Sequence, residues 1–174
     1  MIYTDRLILR RFRPGDAADL YEYLSDPTAY RFEPGEPVTF EGAQHLVQQR
    51  SEGEGYWAAE LKGVGRVIGH VYLAQIEPAE VMTWELGYIF NPLIQRRGYA
   101  TEATIALVRY AFVELEAHRI VAHCNPENTA SWRVLQKAGF SLEGRLRQNV
   151  FFRRDSQGRP LWTDTLEYAI LFSD

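Results

Sequence analysis

The chain has 174 residues, 46% of them apolar and 24% charged, with a formal net charge of −4 at pH 7. That length and balance suit one globular domain over residues 1–174, large enough to bury a core without staples. No apolar run is long enough to cross a bilayer, Asp5 and Arg6 interrupt any signal-like core, no block of like charge forms a nucleic-acid arm, and the single Cys124 cannot make an internal disulfide. A soluble, cytoplasmic protein with no membrane or nucleic-acid partner is expected.

In chain order, Arg6 to Phe12 alternates as a first strand. Pro14-Gly15-Asp16 opens a helix with Ala17, Leu20, Tyr21 and Leu24 on its buried stripe. Asp26 to Val38 holds three prolines, a glycine, Tyr30 and Phe32, and predicts an ordered but irregular loop. Thr39 is placed to cap a second helix whose Phe40, Ala43, Leu46 and Val47 face inward. Glu52-Gly53-Glu54-Gly55 ends it. Tyr56 to Leu61 and Arg66 to Ile76 follow as an antiparallel hairpin around Lys62-Gly63-Val64-Gly65.

Met82 to Phe90 is the next strand, stopped by Asn91-Pro92, because a proline cannot continue a central ladder. After Gln95-Arg96-Arg97-Gly98-Tyr99-Ala100, apolar residues recur at Ala100, Ala103, Leu107, Val108, Ala111 and Leu115, the period of a helix with one buried face. A strand, a loop with two arginines and a glycine, and a helix N-terminus together suit a phosphate: the first N–H groups lack acceptors and the dipole favours an anion. Two solvated arginines beside a turn glycine are the alternative. His118 to Cys124 is a short strand, Asn125-Pro126 leads into a helix closed at Gly139, and Leu142–Phe152 and Trp162–Phe172 are two final strands joined by a polar turn.

The run Gln95-x-x-Gly98-x-Ala100, preceded by Glu85-Leu86-Gly87-Tyr88, resembles the acetyl-coenzyme A motif of the GCN5-related N-acetyltransferases (GNAT). Asn125 to Phe140, with Asn128, Ser131 and Val134 in an N-x-x-S-x-x-V pattern, and the opening Thr4 to Arg10, resemble the RimJ/RimL-type branch. The resemblance implies the GNAT α/β fold: a mixed, mostly antiparallel central sheet flanked by helices, whose fourth and fifth strands splay to admit the thioester donor. It implies that Gln95, Arg96, Arg97, Gly98, Tyr99, Ala100 and Thr101 hold the pyrophosphate of acetyl-CoA. Main-chain groups of Tyr88, Ile89 and Phe90 would pair with the pantetheine arm, and Asn128 and Ser131 would lie near the sulfur.

Many members carry a tyrosine as the thiolate's acid where this chain has Leu135, so Ser131 becomes the candidate acid. Glu85 sits mid-strand on the face of Gly87 and Ile89, where a carboxylate is costly unless partnered or functional. It is the candidate base, acting through water, with an arginine salt bridge as the alternative reading. A glutamate that some members carry early in the penultimate strand is absent from Arg147-Gln148-Asn149-Val150. His45, His70, His118 and His123 are scattered, so no metal is expected.

The reading is therefore an acetyl-CoA-dependent N-acetyltransferase that transfers directly, within a ternary complex, to a primary amine, whether a protein N-terminus or a small molecule. A monomer or homodimer is expected. A non-catalytic acyl-CoA sensor is the competing class.

Overall fold

The computed structural model describes residues 1–174. Eight strands form one sheet in the order β1-β2-β3-β4-β5-β6-β8-β7. They are β1 (Ile2–Tyr3), β2 (Leu7–Arg10), β3 (Tyr56–Leu61), β4 (Arg66–Gln75), β5 (Thr83–Phe90), β6 (Arg119–Cys124), β7 (Ser141–Arg154) and β8 (Pro160–Leu171). The helices are α1 (Ala17–Leu24), α2 (Phe40–Glu52), α3 (Tyr99–Glu114) and α4 (Thr129–Lys137). Every neighbouring pair is antiparallel except β5 and β6, which the α3 crossover makes parallel. The two-residue β1, which the sequence does not signal, shifts the strand count by one, so the expected splay falls between β5 and β6.

Alternation in the strands sorts the apolar residues onto two faces. On one, Leu7, Leu9, Val71, Leu73, Leu86 and Ile120 pack under Ala103, Leu107 and Ala111 of α3 and Leu135 of α4. On the other, Ala58 and Val67 meet Leu20, Tyr23 and Leu24 of α1 and Ala43 and Val47 of α2. Leu107 is fully buried at 0% exposure, so Leu107→Ala is expected to cost about 2–5 kcal/mol, read as a lowered midpoint in urea.

Two inward assignments are corrected. Tyr21 and Phe40 are exposed and stack edge-on against each other, with ring centroids 5.7 Å apart. The α1 stripe turns instead to Tyr23, whose hydroxyl meets Nδ1 of the buried His70 at 2.8 Å, because α2 and β4 together cover only part of the helix's circumference. Thr39 does cap α2, accepting from the Gly42 N–H at 3.1 Å.

Beside this second core, Arg10 is buried and held by both oxygens of Asp16, at 2.7 and 2.8 Å, and by Glu60 at 2.5 Å. Arg10→Met leaves two carboxylates without their cation. A loss of about 3–5 kcal/mol is expected in the same denaturation experiment.

Candidate active site

The parallel pairing of β5 with β6 covers only Thr83–Arg119, Trp84–Ile120 and Glu85–Val121. Beyond it β5 stays bonded to β4 as far as Phe90, while β6 stays bonded to β8 as far as Cys124, so the two strands part. The edge of Leu86–Phe90 that faces β6 therefore has no ladder partner, and its backbone groups can take an extended ligand as an added strand. One wall of the opening is the start of α3. The other is the start of α4.

At α3, Gly98 has φ +81, a left-handed conformation that a side chain rarely adopts, and the nearest atom to a Cβ built there is Arg6 Nη2 at 3.4 Å. Glu102 is the first residue of the helix whose N–H finds an acceptor, Gly98 O at 3.0 Å, which leaves the N–H groups of Tyr99, Ala100 and Thr101 free. Gln95, Arg96 and Arg97 are exposed around them, and Gln95 Nε2 donates to Phe90 O at 3.3 Å. The arginines are free to turn toward an anion.

Arg6 was not singled out in the sequence as part of this loop. Its Nη1 donates to Arg97 O at 2.9 Å, its guanidinium lies 4.4 Å from the Tyr99 ring centroid, and it pairs with Glu102 at 2.6 Å. The bend between β1 and β2 thus ties down the glycine loop from about ninety residues away in sequence. Only the fold makes them neighbours.

At α4, Asn128 Oδ1 accepts from the Ser131 N–H at 3.2 Å, the capping bond that its position allows. Leu135 is in the core at 1% exposure, so no polar group comes from that position. A tyrosine nevertheless reaches Ser131, from β5. Tyr88 Oη donates to Ser131 O at 2.8 Å and lies 3.2 Å from Ser131 Oγ, and burial raises the Tyr88 pKa, so the phenol stays protonated.

Glu85 lies on the opposite face of β5, and its partner is not an arginine. Its Oε1 is 3.0 Å from His123 Nδ1, and His123 Nε2 is 3.2 Å from Glu167 Oε2. The hydrogen bond to His123 lowers the Glu85 pKa, and the same bond raises that of His123, so the proton of the pair resides on the imidazole and the carboxylate stays ionised beside it. His123 on β6 and Glu167 on β8 are cross-strand partners, which explains a cluster that residues scattered in sequence do not announce.

One further carboxylate lies within electrostatic range of Tyr88 and Cys124, on the two strands that part. Glu33, half-buried in the loop between α1 and α2, makes no side-chain hydrogen bond or ion pair and acts electrostatically on Tyr88 and on Cys124. Burial pushes its pKa up to about 7. Arg153 of β7 donates to Tyr30 O and, at 3.5 Å, to Gly35 O, which holds that loop against the last hairpin.

No group of His, Cys, Asp and Glu is arranged to hold a metal ion, and no helix is long and apolar enough to cross a membrane. A mixed sheet parted beside a glycine-started helix, with free backbone on one strand edge, defines the architecture of an acyltransferase that takes its donor between two strands. An acetyltransferase (GNAT) domain model matches residues 6–141, and the chain belongs to that family of N-acetyltransferases, which use acetyl-CoA. The chain is 35% identical to an uncharacterized N-acetyltransferase, YnaD, of Bacillus subtilis over 98% of its own length and 96% of that protein's. A GNAT-family acetyltransferase from Bacillus anthracis superposes with a TM-score of 0.90 at 32% identity, covering 99% of each chain. A spermidine N-acetyltransferase from Vibrio cholerae, crystallised with CoA and spermine, superposes with a TM-score of 0.79 at 24% identity, over 97% of this chain and 96% of the other.

Proposed function

We propose that the chain, as one catalytic unit of the RimJ/RimL type, transfers an acetyl group from acetyl-CoA directly to a primary amine in a ternary complex. The observation that carries this reading is the unpaired edge of Leu86–Phe90 opening toward the free N–H groups of Tyr99, Ala100 and Thr101. It offers a strand to an extended arm and a helix terminus to its phosphates. The CoA-bound Vibrio cholerae enzyme supports the same use of this fold.

Bound there, acetyl-CoA supplies an electrophilic thioester carbonyl. Gln95, Arg96, Arg97, Gly98 and the first turn of α3 hold the pyrophosphate, and backbone groups of Tyr88, Ile89 and Phe90 align the arm. Asn128 orders the first turn of α4 and sets Ser131 at the opening. The amine nitrogen forms the new C–N bond as the C–S bond breaks, and Ser131 Oγ–H gives its proton to the departing sulfur while taking one back from water at the opening, with the Tyr88 hydroxyl beside it. The proton lost by the amine passes through water to the Glu85–His123 pair.

Carboxylates at Glu33, Glu85 and Glu167 make this face attractive to a cationic amine before it is deprotonated. Ser131→Ala is expected to lower kcat by about ten- to a hundredfold with little change in the acetyl-CoA Kd, measured by thiol release and by calorimetry. Undiminished turnover removes the serine from the reaction. An acyl-CoA sensor with the same pocket would bind the donor yet release no thiol above the uncatalysed rate with any amine.

A further inference from the structure

On the acceptor face, a cavity of about 310 Å³ is lined by Leu46 and Arg50 of α2, Tyr56 of β3, and Tyr72 and Ala74 of β4. Its one cation is Arg50, in the last turn of α2. The guanidinium lies 4.3 Å from the Tyr56 ring centroid, and Nη1 is 3.4 Å from His70 Nδ1. Its other neighbours are aromatic, the Phe12 ring centroid at 5.6 Å and the phenols of Tyr23 and Tyr30, and no carboxylate pairs with it. His70, fully buried, is held neutral by that burial and by Arg50 itself. Arg10 and Arg119, by contrast, are each met by two carboxylates. A half-buried guanidinium that opens on a cavity without a counter-charge is set up to receive an anion.

The cavity floor runs on to the reacting side. Ala74 and Tyr72 are the cross-strand partners of Glu85 and Gly87, and a Cβ placed on Gly87 would meet nothing within 4 Å. Tyr56 pairs with Tyr72, so the path from the guanidinium's ring to the open ledge at Gly87 crosses two strand spacings, about 10 Å. An extended aliphatic chain of roughly six to eight atoms has that reach.

Resting on the reading that an amine is acetylated on this face, we propose that Arg50 forms an anion subsite that binds a carboxylate of the acceptor, whose reacting amine lies over Gly87 beside Glu85. The acceptor is then an amino-carboxylate with its two charges well separated, such as the side-chain amine of a lysine-like molecule. A diamine of the same length carries the wrong charge at the far end. Tyr56 and Tyr72 supply the apolar walls for the spacer.

The test compares 6-aminohexanoate with n-hexylamine, matched in carbon number and different in the carboxylate, using thiol release and calorimetry on the protein loaded with desulfo-CoA. Wild type is expected to favour 6-aminohexanoate in kcat/KM by about ten- to a hundredfold, the difference residing in KM. Arg50→Gln is expected to erase that preference by raising the KM for 6-aminohexanoate alone, and Arg50→Lys to restore part of it. Should the variants not fold, the wild-type comparison decides. No preference for the carboxylate in wild type, in turnover and binding alike, overturns the subsite, as does a preference that survives Arg50→Gln. Acetyl-CoA binding and thiol release with n-hexylamine report separately on the acetyltransferase reading, which stands if only the preference is missing.

Discussion

Gly98→Glu is expected to weaken acetyl-CoA binding by about a hundredfold or more. The substitution acts twice at one point. A side chain at φ +81 strains the turn that starts α3, and a carboxylate there faces the place where the free N–H groups of Tyr99, Ala100 and Thr101 invite an anion. Like charges brought together cost several kcal/mol, and a hundredfold in Kd corresponds to about 2.7 kcal/mol. Wild type with acetyl-CoA at about a hundred times its Kd gains roughly that much stability, so its melting temperature rises, and ATP at the same concentration should leave it unmoved. At the same donor concentration the variant is expected to gain about 0.4 kcal/mol or less, so its melting temperature barely moves. Gly98→Ala carries the strain without the charge and separates the two causes. A Gly98→Glu protein that binds acetyl-CoA unchanged returns the arginine-glycine loop to an ordinary turn, and the donor site falls with it.

Glu85→Gln is expected to lower kcat/KM by about a hundredfold or more and to shift the ascending limb of its pH profile to lower pH. The direction follows from the pair. Hydrogen bonding to Glu85 raises the His123 pKa, so in wild type the imidazole becomes free to accept a proton at a higher pH than it would without that partner. Without the carboxylate, His123 loses its protonated form earlier as pH rises, and the limb moves down while the rate falls. An unmoved limb removes Glu85 from proton transfer. If Glu33→Gln then abolishes that limb, the role passes to Glu33, whose carboxyl pKa burial pushes up to about 7. The two variants measured together assign the base.

Much of the fold was legible because its signals are local. Asn91-Pro92 ends a strand, Gly98 starts a helix, Thr39 caps α2, and the alternation of β5 sends Trp84, Leu86, Tyr88 and Phe90 to one face and Glu85 to the other, as the structure bears out. Tyr21 and Phe40 misled because a helical stripe gives the direction of a face but not how much of it a neighbour covers. The order of the last strands, with β8 between β6 and β7, was likewise out of reach, since register between distant strands depends on packing that no short window contains.

The sequence by itself determined the family motif and the helix terminus that carries the glycine, because each depends on residue type at short spacing. Glu85 is a candidate from strand alternation, whereas Asn128 and Ser131 read as a local cap by spacing and become candidates only through the family resemblance. Only the tertiary structure decided what stands beside them. It set Arg6 against the loop of Arg97 and Tyr99, Tyr88 against Ser131, His123 and Glu167 beside Glu85, and Glu33 within electrostatic range of Tyr88. Each of these meetings joins residues from separate elements. Proton affinity and ion pairing depend on burial and on separations of a few ångströms, which a chain acquires only when its strands have found their order.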